Sequence, residues 1–235
     1  MSRQIGLGAA AVGMMLAGAI GLAIGARVIG QESDAALGAK MRSYILAHPE
    51  IVRDAAEKLR IEPVRAAVET PFSTAWAGNP KGDVTLVIFT DYNCPYCRAT
   101  SPEIDRLLAS DRRLKVVWRE MPVLGPDSDA AAAAALAAAM QGKYYRFHRA
   151  LFAGGHPDEQ GIANAAKVAG LATASLAAGS KAPEVRTEIQ TNLEIARALG
   201  IDATPFFVIG NRTYQGAIGY DRLVKAVADA RTETD

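Results

Sequence analysis

The feature that most constrains this chain is an apolar run that ends just short of a cysteine pair. Val84-Thr85-Leu86-Val87-Ile88-Phe89-Thr90 has the β-branched, nearly continuous apolar character of a buried strand, and Cys94-Pro95-Tyr96-Cys97 follows at once. From Pro95 to about Leu108 a helical pattern returns, and Leu114-Lys115-Val116-Val117-Trp118 reads as another strand. Strand, helix and strand at this spacing predict a β-α-β unit with the cysteines at the start of its helix.

That position gives two thiols a specific use. The first turn of a helix has unpaired backbone N–H groups, and the macrodipole favours negative charge there. A thiol so placed falls from about 8.5 into the range of roughly 3.5–7.5. Cys94 is then the expected nucleophile, forming a mixed disulfide with a client. Cys97, one turn on and deeper, is expected to attack Cys94 and release the client. Pro95 suits the first helical turn, and Tyr96 is placed to tune the pair. The competing reading is a structural staple, but a loop of so few residues gains little closure entropy.

Cys94 and Cys97 are the only cysteines in 235 residues. A disulfide-stapled secreted domain would show more, at wider spacings. A tetrahedral zinc site needs four ligands, and no second pair exists; His48, His148 and His156 are distant in sequence and would have to be gathered by the fold or a dimer. No metal site and no cofactor are expected. Formal net charge is +1, with no basic stripe, so nucleic acid is not an expected partner.

The N-terminus sets the compartment. Ile5 to Ala26 runs without a charge for about 22 residues, roughly 33 Å as a helix and enough to cross a hydrocarbon core. A retained signal anchor fits this length better than a cleaved signal peptide, although Ala23-Ile24-Gly25 could serve as a cleavage site. Either form exports the rest of the chain to where disulfides persist.

Between Ala35 and about Leu59, apolar residues recur at three- and four-residue steps, interrupted at His48-Pro49, which predicts two helices. The stripe either packs on the chain's own core or pairs with other protomers. Pro63, Pro71 and Gly78-Asn79-Pro80-Lys81-Gly82 punctuate a connector. Beyond Trp118, helical patterns cover Asp127–Gly142, Tyr144–Phe152, Gly161–Ala169 and Val185–Leu199. Strands at Phe206–Ile209 and Arg212–Gln215 flank the turn Gly210-Asn211, and a helix is expected over Tyr220–Ala230. The order β-α-β, helical insertion, β-β-α describes an α/β thioredoxin fold. The expected division is 1–30 anchor or signal peptide, 31–70 helical extension, and 71–235 thioredoxin domain with its insertion over about 125–190.

Three segments, FTDYNCPYC, WREMPVLGPDSDAAAAAALAA and LGIDATPFFVIGNRTYQGAIGYDRL, together resemble the DsbA-like thioredoxin family, and within it the Com1/ScsC-type branch with an N-terminal helical extension. The resemblance implies that Cys94 attacks, that Cys97 resolves, and that Thr204-Pro205 is the cis-proline loop that faces the sulfurs and binds client backbone. It implies exported clients bearing thiols or disulfides, and a membrane redox partner that recycles the pair. A periplasmic site at the inner membrane follows, as does a homotrimer or homodimer built on LGAKMRSYILAHPEIVRDAAEKL. Such an assembly suits a disulfide isomerase or reductase, whereas a monomer suits a dithiol oxidase. One position departs: relatives carry a buried acid six positions before the first cysteine, and here that residue is Ile88. Proton transfer at Cys97 must then use water or another group; Asp91, the nearest carboxylate in sequence, is expected to project elsewhere. Two other classes stand beside the enzyme: a membrane-tethered chaperone using the groove near Pro205, and metal capture by the two thiols. His148 is expected to pack at a helix face, and Trp76 and Trp118 to be core or near-surface aromatics.

Overall fold

The computed structural model describes residues 34–233. In chain order, α1 (Asp34–Ala47) and α2 (Glu50–Ile61) lead through a short 3-10 turn to α3 (Arg65–Glu69). Next come β1 (Trp76–Gly78), β2 (Val84–Thr90), α4 (Pro95–Ser110) and β3 (Leu114–Glu120). A helical run follows: α5 (Pro126–Met140), α6 (Tyr144–Ala153), α7 (Glu159–Ala169), α8 (Thr173–Ser180) and α9 (Pro183–Ala198). Finally β4 (Phe206–Ile209), β5 (Arg212–Gln215) and α10 (Tyr220–Thr232) complete the β-β-α half.

The five strands form one mixed sheet in the order β1-β3-β2-β4-β5. β2 and β3 run parallel, with Val84 opposite Leu114 and Thr90 opposite Glu120, while β4 pairs antiparallel with both β2 and β5. Because side chains alternate along a strand, the central strands feed two cores. Leu86 and Ile88, Val116 and Trp118, and Phe207 and Ile209 face one side, packed with Ile104 and Leu107 of α4, the insertion helices and α10. Val87, Phe89, Val117, Phe206 and Val208 face the other, against Ile61, Val68, Ile195 and Leu199. Each such side chain, buried completely, contributes about 1.5–3 kcal/mol.

The β4–β5 hairpin turns through Gly210 at φ 58°, where a Cβ would lie 2.9 Å from that of Ala230. Only glycine fits there. β2, β4 and β5 fall on the residues expected for them. β3 extends two residues past Trp118, which brings Glu120 into the strand. β1 and α8 were not expected; three residues in one case and eight in the other, with Gly179 among them, are too few to display a period.

The chain divides into two compact units, one ending at Arg53 and one beginning at Asp54. In the first, α1 ends at Ala47 and α2 opens at Glu50, the break expected at His48-Pro49. No residue of α1 is buried, and Leu37, Met41, Tyr44, Ile45 and Leu46 are exposed. In the second, residues 54–70 belong with the sheet. Arg65 donates to the Gly210 carbonyl at 3.0 Å and to Asn211 Oδ1 at 2.6 Å, and Asp54 pairs with Arg212 at 2.8 Å. Among the described residues no helix is long and apolar enough to cross a membrane. The anchor expected over 5–26 lies outside them.

Candidate active site

β2 ends at Thr90, and a short loop delivers Cys94 as the residue just before α4, in extended backbone (φ −81°, ψ 119°). Its N–H donates to the Asp91 carbonyl at 3.1 Å, and its own carbonyl accepts the first bond of α4, from Arg98 N. Pro95 takes the first helical position, where its missing N–H costs nothing. Both thiols are free and buried, 5 % exposed at Cys94 and 2 % at Cys97. Tyr96 between them is 64 % exposed, and Val123 and Leu124 on the loop after β3 are exposed as well.

The two sulfurs differ in their surroundings. A hydrogen bond from the Cys97 thiol, then backbone N–H groups of Cys97 and Tyr96 and the Thr204 side chain, pull Cys94 down to about 5 against the cost of burial. Burial pushes Cys97 well above the ordinary thiol range, and donation to Cys94 pushes it further. Contacts with the Asp91 backbone and the Thr204 and Thr90 side chains oppose this only in part. The pair therefore holds one easily formed thiolate near the surface and one buried thiol behind it.

Thr204-Pro205 closes the site from the β4 side. Its peptide bond is cis, both residues are buried, and the Cys94 sulfur donates to the Thr204 carbonyl at 3.3 Å. The structure thus brings Cys94, Pro95, Tyr96 and Cys97 together with Thr204 and Pro205.

Asp91 has a positioning task. Its two oxygens accept from Asn93 N (2.8 Å), Val123 N (2.8 Å), Leu124 N (3.1 Å) and Ser128 Oγ (2.6 Å), stitching the cysteine loop to the loop after β3. Ile88, six positions before Cys94, is an ordinary core residue packed in the sheet.

A buried acid does exist, one strand over. Glu120, at the end of β3, is fully buried, and its Oε1 accepts from Tyr144 Oη at 2.6 Å and Tyr92 Oη at 3.1 Å. Tyr92 Oη also lies 2.8 Å from His148 Nδ1. Glu120 Oε2 is buried with no hydrogen-bond partner. Trp118 and Phe152 pack against the His148 ring. Burial, with a smaller contribution from the negative charge of Asp91, raises the Glu120 carboxyl to about 8 against the two tyrosine hydroxyls. Burial likewise lowers His148 to about 3, so it is neutral. His148 packs on a helix face as expected, but into a polar cluster. The signal in the sequence was an acid in period-two register with Val116 and Trp118, facing Tyr144 and His148 at i, i+4. Among the described residues no group of three or more His, Cys, Asp or Glu side chains is placed to hold a metal ion.

Several known proteins are similar to this chain. Residues 85–228 match the model of the DSBA-like thioredoxin domain, and residues 34–61 match that of the copper resistance protein ScsC N-terminal domain. Similar solved structures include a thioredoxin-like oxidoreductase from Silicibacter pomeroyi (44 % identity, 67 % of this chain and 91 % of that one, TM-score 0.65). A periplasmic thioredoxin-like protein from Salmonella enterica serovar Typhimurium (27 %, 72 % and 96 %, TM-score 0.66) is another. A third is the thiol-disulfide exchange protein alpha-DsbA2 from Wolbachia pipientis (28 %, 76 % and 97 %, TM-score 0.71). Among curated relatives, the Na(+)/H(+) antiporter NhaA 3 of Salinispora tropica is 30 % identical over 65 % of this chain. The chain spans about a quarter of the length of such relatives, 24 % in that case. A dithiol at the start of α4, a thioredoxin-type sheet with a helical insertion, and matched segments at both ends lead to one conclusion: the chain belongs to the DsbA-like thioredoxin family and carries the N-terminal segment of its ScsC-type branch.

Proposed function

We propose that this protein is an extracytoplasmic thiol–disulfide oxidoreductase that forms or rearranges disulfides in exported proteins, with Cys94 as the attacking thiol and Cys97 as the resolving one. The observation that carries this reading is the asymmetry of the pair. Cys94 sits at a helix start with its thiol lowered to about 5, and Cys97 is buried and raised behind it. A low-pKa thiolate attacks and leaves readily, and a buried partner keeps the mixed disulfide short-lived. Thr204 and Pro205 are the proposed client-binding loop, offering backbone to an extended peptide beside Cys94, and the exposed Tyr96 is available to the same client.

The finer proposal is isomerase or reductase activity in a homotrimer or homodimer, recycled by a membrane redox partner. Its support is the N-terminal match at residues 34–61 and the exposed apolar side chains of α1. Residues 1–30 are proposed as the anchor or signal peptide, 31–70 as the helical extension, its part from Asp54 onward packing with the sheet, and 71–235 as the catalytic domain.

Replacing Cys94 by alanine should abolish insulin reduction and the reactivation of scrambled ribonuclease; full activity in that variant would overturn the reading. The equilibrium potential of the chain against a glutathione buffer, taken with its mass in solution, separates the classes. A strongly oxidising potential in a monomer means a dithiol oxidase, and a reducing poise in a trimer or dimer means the isomerase or reductase.

A further inference from the structure

Opening or closing the Cys94–Cys97 disulfide creates a proton problem at Cys97, since the leaving or attacking species there is a thiolate and the site is buried. A thiolate in such surroundings is costly, so a group within the protein must hold the proton. Asp91 is unsuited, because both its oxygens are occupied by four donors. His148 is caged by Trp118, Tyr144 and Phe152, with Nδ1 committed to Tyr92. Glu120 differs from both: it is fully buried yet has a carboxyl oxygen with no partner.

Its position is also right. Glu120 pairs in register with Thr90 on the adjacent parallel strand, about 4.8 Å away across the sheet. Paired residues on neighbouring strands project to the same face, here the face that receives α4. The Thr90 side chain reaches the Cys97 sulfur, and Tyr92, which donates to Glu120, feels the charge of that same sulfur.

Resting on the functional reading above, we propose that Glu120 stores the proton for Cys97, giving it up when the disulfide opens and taking it back when the disulfide closes. In the opening direction a client thiolate attacks Cys94 Sγ and the Cys94–Cys97 bond breaks. Cys97 leaves with the electron pair and receives the carboxyl proton of Glu120. The carboxylate that remains is held by the Tyr92 and Tyr144 hydroxyls. In the closing direction Glu120 accepts the Cys97 thiol proton, and Cys97 attacks Cys94 Sγ. The client leaves as a thiolate, and no outside oxidant enters.

The groups acting on Glu120 are Tyr92 and Asp91 from the loop after β2 and Tyr144 from α6; His148 reaches it through Tyr92, and Cys97 of α4 lies on the far side of Thr90 and Tyr92. Asp91 disfavours the carboxylate and the two hydroxyls favour it, and Arg149 acts on His148 from behind. A carboxyl poised near neutrality by these opposed effects can serve in both directions.

Two measurements on the full chain test this. First, the rate at which dithiothreitol opens the disulfide is followed from pH 6 to 9 in the wild type and in Glu120→Gln. The variant should be slower by roughly a hundredfold and should lose the break near pH 8. Second, the Glu120 carboxyl carbon, assigned by triple-resonance NMR in the wild type, is titrated in the disulfide and dithiol forms. A midpoint near 8 that moves between the two forms supports the proposal whether or not the variant folds. A folded Glu120→Gln with wild-type rates at every pH, or a midpoint identical in both forms, overturns this inference alone. A wild type without any exchange activity overturns the functional reading and this inference with it.

Discussion

Arg119 and Glu120 are neighbours on β3, and the pleat sends them to opposite faces of the sheet, into two very different environments. On one face the Arg119 guanidinium is surrounded. It pairs with Glu188 at 2.8 Å and donates to Asn192 Oδ1 at 3.1 Å and to the Val68 carbonyl from two nitrogens at 3.1 and 3.0 Å. It also donates to the Ala67 and Thr70 carbonyls. These carbonyls lie at the end of α3, where a helix leaves its acceptors unpaired. On the other face Glu120 has two hydroxyl donors for one oxygen and nothing for the other. A buried charge whose bonds are all made ties elements together; a buried acid left half-satisfied is a group whose proton can move. Asn192 bridges the two residues, since its Nδ2 donates to the Glu120 carbonyl at 3.2 Å.

The comparison breaks most visibly at Arg119. Replacing it by methionine strands Glu188 and Asn192 without their partner and releases the end of α3. The expected loss is about 3–5 kcal/mol in urea unfolding. Adding Glu188→Leu should recover much of it, because removing both charges takes away the uncompensated one. A single variant that melts within 1 kcal/mol of wild type would mean that Arg119 is not the tie described here. Asp91→Ala should cost less, about 2 kcal/mol, since the N–H groups of Val123 and Leu124 lie at a surface loop that water can reach. Protease nicking within residues 121–128 should rise in that variant, and an unchanged digestion pattern would argue against its stitching role.

How much of this was readable in advance depended on whether the physics was local. The β2 run, the C-x-x-C and the β4–β5 hairpin announce themselves through continuous apolar stretches and a Gly-Asn turn, and the structure places them where expected. The cysteines and the Thr204-Pro205 loop are 110 residues apart between Cys94 and Thr204, and only the family resemblance joined them beforehand. Glu120 escaped for two reasons. The apolar run of β3 reads as ending at Trp118, two residues short, and the family resemblance points to an acid six places before Cys94, on β2. The chain instead carries its buried acid on the neighbouring strand, and pairing across strands is a tertiary fact that no single stretch encodes. Tyr144 and His148 showed the i, i+4 spacing of a core stripe, and core residues are what they are; the polar centre they enclose is visible only once β3 is laid beside them.

The smallest effect per step sharpens the comparison furthest, because it separates the two titrating members of that polar centre. Glu120 is raised from 4.5 to about 8, so between those values the folded state holds a proton that the unfolded chain has lost. That part of the stability is complete below pH 4.5 and falls as pH rises, by at most about 1.4 kcal/mol per unit. His148 is lowered from 6.5 to about 3, so between those values the unfolded chain holds a proton that the folded state refuses. Its contribution rises with pH over that window, with the same limiting slope. The two cancel from about pH 4.5 to 6.5, and only the falling limb of Glu120 remains between 6.5 and 8. In Glu120→Gln the falling limb should vanish while the rise below pH 6.5 persists, because glutamine does not titrate and His148 keeps its cage. Urea midpoints of wild type and variant at pH 4, 5.5, 7 and 8.5 decide the matter. If the difference between the two chains stays constant across that range, Glu120 is ionised in the fold as it is in the unfolded chain, and the contrast with Arg119 reduces to one of hydrogen-bond count.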